Sequence, residues 1–444
     1  MKEVVVIGGG LAGLVVSDKL QDSGFKVTIV EKADDIGGMC RSKIMDLKSG
    51  GRVIYDMGPH KFAPCSDIAN DYFLKYVKDP ITVSITGAVY LKNRILSYPV
   101  KITELLKNFP IIGMGCGIGF LTKFLWHEDG SYANYIRKRV GGYTYDFVFR
   151  DYAAKVWGNP QNLDWELART RFVTPSLIGM IMAAITGKNT LTFKDFIYPN
   201  VCMGVFVKKI EAKIKDNGGL ILKNTLPLSY DGKILKVTDG KKETEFKDPI
   251  VVSTIKPKDM ARAMSLTSKP LLKLEYKTIN LFYFLVKGKR PYNTWLFYPE
   301  QCIFFNRTSI NFHPKAVGDG NYLLCVEVTQ KKRDMPNIKR SDIESKLMEI
   351  YGIQKEDIID MWNDYLSGAY PIYHMGFKND ILSVLDMIEN HGRIFCIGRH
   401  ACHNYNNMDH TIIEATDLAD IISKGRSIDA WDHKRRTYDW RIVD

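Results

Sequence analysis

VVVIGGGLAGLVVSDKL (4–20) decides the fold. A continuous apolar strand runs into Gly8-x-Gly10-x-x-Gly13, and a helical pattern follows. Gly8 permits the tight turn, Gly10 lets the backbone approach a pyrophosphate, and Gly13 lets helix pack against strand. The pyrophosphate then sits on the helix N-terminus, at Leu11 and Ala12, where free N–H groups and the dipole favour an anion. FKVTIVEK (25–32) reads as a second strand ending in Glu31 and Lys32. Glu31 lies eighteen residues past Gly13, where a carboxylate can accept from ribose hydroxyls. Strand, glycines, helix, strand and acid in this order predict a dinucleotide-binding unit.

Two further segments follow, IGGMCRS (36–42) and GGRVIYDMGPHKF (50–62). A second glycine pair suggests another close backbone approach, and Arg41 could reach a phosphate. With these motifs in place the sequence resembles the flavoprotein superfamily of monoamine oxidase, phytoene desaturase, protoporphyrinogen oxidase and UDP-galactopyranose mutase. There the acid-ended strand is followed by a GG-x-x-R-S/T segment and a D-x-G-P/G-H element, both wrapping FAD. The matching positions are Gly37, Gly38, Arg41 and Ser42, then Asp56, Gly58, Pro59 and His60. The resemblance implies FAD rather than NAD. It also implies an α/β fold of mixed character. A Rossmann-like FAD-binding domain of the glutathione-reductase-2 type carries an inserted substrate-binding domain of helices and an antiparallel sheet. On that reading residues 1–75, 196–265 and 378–430 form the FAD domain, 76–195 and 266–377 the substrate domain, and 431–444 a C-terminal tail.

Near the other end stands IGRHACHNYNNMDHT (397–411), with His400, Cys402, His403 and His410 close together. Zinc sites favour paired ligands such as C-x₂₋₄-C with H-x₃₋₅-H, and no such pairing occurs here. The resemblance implies instead that the chain returns to the flavin. RIFCIGRH (393–400) reads as a strand ending in Gly398 and Arg399, and DHTIIEATDLADIISK (409–424) as a helix capped by Asp409. The helix start at Asn407, Met408 and Asp409 would stabilise negative charge on the N1–C2=O edge of a reduced flavin. The loop between them would lie beside ring and substrate. No metal is expected. His60, Tyr405 and Asn406 are the candidate residues nearest the chemistry, which flavin N5 itself carries.

The middle of the chain adds ligand candidates through the same resemblance. In UDP-galactopyranose mutases, arginines from comparable places clamp the substrate diphosphate. This implies Arg169 or Arg171, with Arg307, as anion ligands, since a guanidinium fork matches phosphate oxygens. Tyr370, Tyr373 and Tyr405 could offer hydroxyls. Gly204 stands alone where relatives often carry more glycines.

The bulk composition narrows the classes. The 444 residues are 45% hydrophobic and 25% charged, an ordinary globular balance, with net charge +12. The positive charge is spread; KKR (331–333) and KRR (434–436) are short runs that read as solvated faces, so nucleic acid is not the expected partner. Eight dispersed cysteines without a CxxC pair, and an opening directly on a strand, predict reduced thiols and a cytoplasmic setting. The apolar stretches 110–122 and 176–187 are too short to span a bilayer and read as buried or interfacial helices, with peripheral membrane contact or a homodimer left open. No Ser-His-Asp set or carboxylate dyad is evident. The expected activity is FAD-dependent hydride transfer from a small anionic substrate, a nucleotide sugar or related metabolite. The alternatives are a mutase-like, net non-redox reaction on a nucleotide sugar using reduced FAD, and a catalytically silent nucleotide-binding module.

Overall fold

Val4 and Val6 point to one side of the strand Glu3–Ile7, and Val5 and Ile7 to the other; all four are buried. A strand covered on both faces is apolar throughout, which is why the opening run does not alternate. It is the centre of a five-stranded parallel sheet ordered Ile394–Cys396, Ile250–Ser253, Glu3–Ile7, Lys26–Val30, Leu220–Leu222. Helices Leu11–Asp22, Gly204–Asp216 and Met408–Ser423 contribute to the core on one face. The other face meets the antiparallel strands Leu226–Tyr230, Ile234–Thr238 and Glu243–Lys247 and helices Pro257–Ala263 and Phe377–Glu389.

A second sheet of seven strands runs in the order Ile358–Pro371, Tyr276–Lys287, Asn321–Gln330, Arg307–Ile310, Trp295–Phe297, Gly87–Leu91, Arg94–Ser97. It is antiparallel except for the parallel pairing of Trp295–Phe297 with Gly87–Leu91. Helices Tyr132–Val140, Arg150–Val156 and Trp165–Arg171 contribute aromatic residues to the core on the second face of the parallel sheet. The molecule therefore has the mixed α/β architecture expected, with one strand pair departing from a purely antiparallel second sheet.

The computed structural model describes residues 2–172, 196–310, 317–330 and 339–441. The apolar stretch 176–187 and the basic run 331–333 lie outside these residues. Two expectations change. The C-terminal tail set at 431–444 begins inside a packed helix, Ile428–Arg436, and Trp431 is fully buried with its indole N–H donating to the Cys396 carbonyl at 2.9 Å. The stretch 393–400 is a strand only over Ile394–Cys396, because Gly398 takes a positive φ of 84° and starts a short helix, Gly398–Ala401. All eight cysteines are free thiols.

A candidate flavin-dinucleotide cleft

The two chain ends meet at glycine. A β-carbon on Gly398 would lie 2.9 Å from the Ala12 β-carbon, so the C-terminal loop rests directly on the start of the first helix. The resulting cleft runs from Gly10, Leu11 and Ala12 past Gly38, Pro59 and His60 to Gly398, Arg399 and the stretch Tyr405–Asp409. No side chain caps helix Leu11–Asp22, so its first N–H groups open on the cleft. Gly8 and Gly13 lie behind this lining. A β-carbon at Gly13 would sit 2.0 Å from the Gly8 carbonyl oxygen, which explains the tight helix–strand contact.

Glu31 is buried at the end of its strand. Its carboxylate accepts from the Gly9 N–H at 2.7 Å and the Ala33 N–H at 2.8 Å, so it tethers the glycine turn from behind the cleft lining. Glu31→Ala should therefore lower FAD affinity by about tenfold or more, from loss of charge-assisted bonds worth about 1.5–3 kcal/mol each. Flavin content after gel filtration would read this, and wild-type retention would remove Glu31 from the site. Lys32 beside it is exposed and does not line the cleft. Arg41 does not enter the cleft either; its guanidinium donates back to the Gly38 carbonyl at 3.2 Å and braces that turn.

Asp56 is buried and its carboxylate gathers three other segments. Ser42 Oγ and Tyr198 Oη donate to its carboxylate, as does the Met203 N–H at 3.0 Å. Burial pushes the carboxyl up to about 6 despite these donors. The Gly204 N–H donates to Ser42 Oγ at 2.7 Å, and a β-carbon on Gly204 would clash with that same oxygen at 2.6 Å. One glycine at that position is enough for the close approach.

At the far end the cap differs from expectation. Helix Met408–Ser423 is capped by Asn407, not Asp409. The Asn407 side chain accepts from the His410 N–H while His410 Nδ1 accepts from the Asn407 N–H at 3.2 Å. Asp409 is a buried first-turn residue. The cap engages the His410 N–H, leaving the N–H groups of Met408 and Asp409 at the cleft. Arg399 holds the preceding loop by donating through Nε at 3.1 Å and through Nη2 to the Asn406 carbonyl, and through Nη1 at 3.3 Å to Ala369.

Asn406 donates through Nδ2 at 3.1 Å to Glu414, whose other oxygen accepts from Trp440 Nε1 at 2.7 Å. Burial pushes the Glu414 carboxyl up to about 7. A folded-state pKa above the unfolded value of 4.5 gives stability that is present at low pH and lost as pH rises toward and through 7. Relative to Glu414→Gln, the wild type should lose on the order of 3 kcal/mol of stability between pH 4.5 and 8. Denaturant titrations of both proteins across that range check it; parallel pH profiles would show that Glu414 does not titrate there.

The histidines do not converge on one point. His400 Nε2 bonds the Gly368 carbonyl at 2.9 Å and His403 Nε2 the Ile372 carbonyl at 3.1 Å. Burial lowers them to about 3 and about 4. Among the described residues Cys65, Asp409 and His410 bring ligand atoms within 4.8 Å of one another, but His410 is held by Asn407 and stacked on Trp440 at 4.4 Å. His60 lines the cleft; burial, then the positive charges of Arg399 and Arg307, lower it to about 4, so it is a neutral imidazole at pH 7.

The ligand candidates separate. Arg171, Arg307, Tyr370 and Tyr405 line the cleft. Tyr370 and Tyr405 stack at 5.3 Å, and the Arg171 guanidinium lies 5.3 Å from the Tyr405 ring centre. Arg307 lies 4.6 Å from the Trp295 ring centre and bonds Glu327. Arg169 turns away and forms an ion pair with Asp439 at 2.5 Å. Tyr373 is a buried brace, donating to Asn404 Oδ1 at 3.1 Å and accepting from the Tyr405 N–H at 2.7 Å. Sequence reasoning missed Lys61 and Trp295, which line the same cleft with Lys61 Nζ 3.8 Å from the indole centre. The position of Lys61 directly after His60 was the available signal.

The residues fit a flavin dinucleotide. An uncapped helix start and a second helix start with two cleft-facing N–H groups lie along one groove, and Glu31 braces the glycine turn behind it. Asn406 Oδ1, His60 Nδ1 and Trp295 Nε1 are buried without a hydrogen-bond partner within the chain. The fold and site thus define a protein with a dinucleotide-binding, Rossmann-like domain. Residues 6–77 match the NAD(P)-binding Rossmann-like domain family.

Among curated proteins, the UDP-galactopyranose mutase of Mycoplasma genitalium is 24% identical over 164 residues, 36% of this chain and 40% of that protein. The alignment thus spans about two-fifths of the relative's length. Among solved structures, a reduced UDP-galactopyranose mutase superposes with a TM-score of 0.85 at 19% identity, covering 100% of both chains. A putative protoporphyrinogen oxidase from Exiguobacterium sp. 255-15 gives 0.72 at 12% identity, covering 96% of this chain and 99% of its own.

Proposed function

We propose that the protein is a flavoenzyme that holds FAD in this cleft and acts on an anionic, diphosphate-bearing sugar nucleotide, with mutase-type chemistry. The observation that carries this reading is the presence of Arg171 and Arg307 in the same cleft as the loop Tyr405–Asp409, each guanidinium backed by an aromatic ring. Planar guanidinium forks match phosphate oxygens and are weakly hydrated enough to work beside rings. The full-length similarity to a mutase structure supports the reaction class. Bound FAD would supply either a nucleophilic N5 when reduced or a hydride acceptor when oxidised. The chain's own part is to position and neutralise. The helix starts at Leu11 and Met408 offer N–H groups to anionic edges, the two arginines orient the diphosphate, and Tyr370 and Tyr405 form an apolar wall that limits water. His60, neutral at working pH, adds hydrogen-bonding capacity without adding charge.

Hydride transfer remains the second reading, favoured by the similarity to the protoporphyrinogen oxidase structure. Anaerobic addition of UDP-galactose to oxidised and dithionite-reduced protein, with absorbance reading the flavin and chromatography reading the sugar nucleotide, separates the two. Turnover on the reduced protein alone supports the mutase reading. Bleaching of the oxidised bands by a substrate, without dithionite, establishes the oxidoreductase reading. A protein showing no flavin bands after added FAD would be a nucleotide-binding module.

A further inference from the structure

Helix Pro110–Leu121 reads PIIGMGCGIGFL and holds no charged residue. Its two faces differ in kind. Inward it presents glycine: β-carbons at Gly113 and Gly115 would lie 2.8 Å from Leu106 and 2.7 Å from Tyr143. The helix is therefore pressed against its neighbours and fixed in orientation. Outward, Ile111, Met114, Ile118 and Leu121 follow one another at helical spacing along a single stripe, 78, 56, 64 and 72% exposed. Phe124 and Leu125 extend the stripe and are 71 and 64% exposed. Single exposed apolar side chains are ordinary, whereas a contiguous set marks an interaction surface.

The length and the charge around this stripe narrow what covers it. The helix has 12 residues, about 18 Å at 1.5 Å per residue, well short of the ~30 Å of a hydrocarbon core. No helix among the described residues is long and apolar enough to cross a membrane. The rim is basic. Lys101 caps and Lys107 lies in the last turn of the preceding helix Ile102–Asn108, and Lys123, half-buried with its ammonium 3.9 Å from the Phe120 ring centre, sits between Leu121 and Phe124. Glu104 keeps its negative charge, so residues 101–125 carry three lysines against one carboxylate. Glu104 accepts from the Ser97 N–H at 2.9 Å and from Ser97 Oγ at 2.8 Å, and Glu128 pairs with Arg139 at 2.8 Å. In a two-fold pairing residue i meets residue j, so a second copy would have to answer the lysines with its few carboxylates, whereas a bilayer surface answers all of them. Anionic headgroups neutralise them, and the chain's net charge of +12 adds a long-range pull of the same sign.

We propose that this face seats the protein on the surface of an anionic bilayer. The stripe Ile111–Leu121 with Phe124 and Leu125 lies at the boundary between headgroups and acyl chains, and the lysines lie among the phosphates. The cleft and its cofactor play no part in this contact, so the proposal stands apart from the catalytic reading.

The test is flotation of the purified full chain with vesicles of phosphatidylcholine alone and of phosphatidylcholine with an equal part of phosphatidylglycerol, in ~0.1 M salt. The wild type should float with the phosphatidylglycerol vesicles at least about tenfold more strongly than with phosphatidylcholine, and less at ~1 M salt, where charge is screened. Ile118→Glu with Leu121→Glu should abolish flotation, and Lys107→Glu with Lys123→Glu should weaken it at least about tenfold. All these positions are on the surface, so melting temperature and flavin content should stay at wild-type values. If the apolar pair does unfold the protein, the lysine pair carries the test alone. Absence of flotation with phosphatidylglycerol vesicles overturns the proposal, as does wild-type flotation by a folded variant. Sedimentation velocity adds one further outcome: a wild-type dimer that the same substitutions dissolve, with no vesicle binding, assigns the face to a second copy of the chain.

Discussion

Gly13→Ala should leave the purified protein without its flavin. The β-carbon introduced there would stand 2.0 Å from the Gly8 carbonyl oxygen, far inside contact distance. Gly8 cannot retreat: its φ is +108°, and a β-carbon on it would lie 2.1 Å from Thr254 Oγ1, which itself donates to the Ile7 carbonyl at 3.0 Å. The start of helix Leu11–Asp22 must then move off the strand, and its free N–H groups move with it. Their value to a pyrophosphate depends on direction, so a fall in FAD affinity of about 100-fold, near 2.7 kcal/mol, is expected. Because such crowding can also harm folding, Gly10→Val is the companion. Gly10 has an ordinary φ of −75°, and a β-carbon there meets nothing nearer than the Gly38 α-carbon at 3.9 Å, so its added bulk enters the cleft. It should fold with an unaltered circular dichroism spectrum and still purify colourless. A Gly10→Val protein carrying one flavin per chain would place the cofactor elsewhere.

The parts of this molecule that could be read from its sequence are those built by local rules. The apolar run Val4–Ile7, the glycine spacing and the acid at Glu31 are set by one βαβ unit, and the structure pairs Glu3–Ile7 with Lys26–Val30 in parallel as that unit requires. The long strand Tyr276–Lys287 is equally clear, with seven of its twelve residues β-branched or aromatic. What escaped was set by tertiary neighbours. Asn407 and Asp409 are both good capping residues two positions apart, and the choice falls to Asn407 because His410 answers its N–H. Arg169 and Arg171 sit about 200° apart around a helix, so only one can face the cleft; Asp439, at the distant end of the chain, pairs with Arg169. Trp295 gave no motif at all. It reaches the cleft through a strand pairing with residues 87–89 that nothing in its own neighbourhood announces.

Arg307→Ala should cost stability as well as ligand affinity, and the two losses can be pulled apart. Arg307 and Glu327 are cross-strand partners, and both Nε and Nη2 lie 2.8 Å from Glu327 Oε1. Glu327 is only 1% exposed, and its Oε2 has no hydrogen-bond partner within the chain. Removing the guanidinium leaves a buried carboxylate without its main counter-charge, a change expected to destabilise the fold by about 3–5 kcal/mol. A neutral partner removes that penalty. Arg307→Ala combined with Glu327→Gln should therefore recover most of the stability in denaturant titration while still lacking the cation. Titration of the flavin spectrum with uridine diphosphate then isolates the ligand contribution. Loss of one charge-assisted contact, about 1.5–3 kcal/mol, corresponds to a Kd raised roughly 10- to 150-fold in the double variant. If the double variant binds uridine diphosphate as the wild type does, Arg307 serves only to neutralise Glu327, and the anion seat falls to Arg171 and Lys61, which share the cleft.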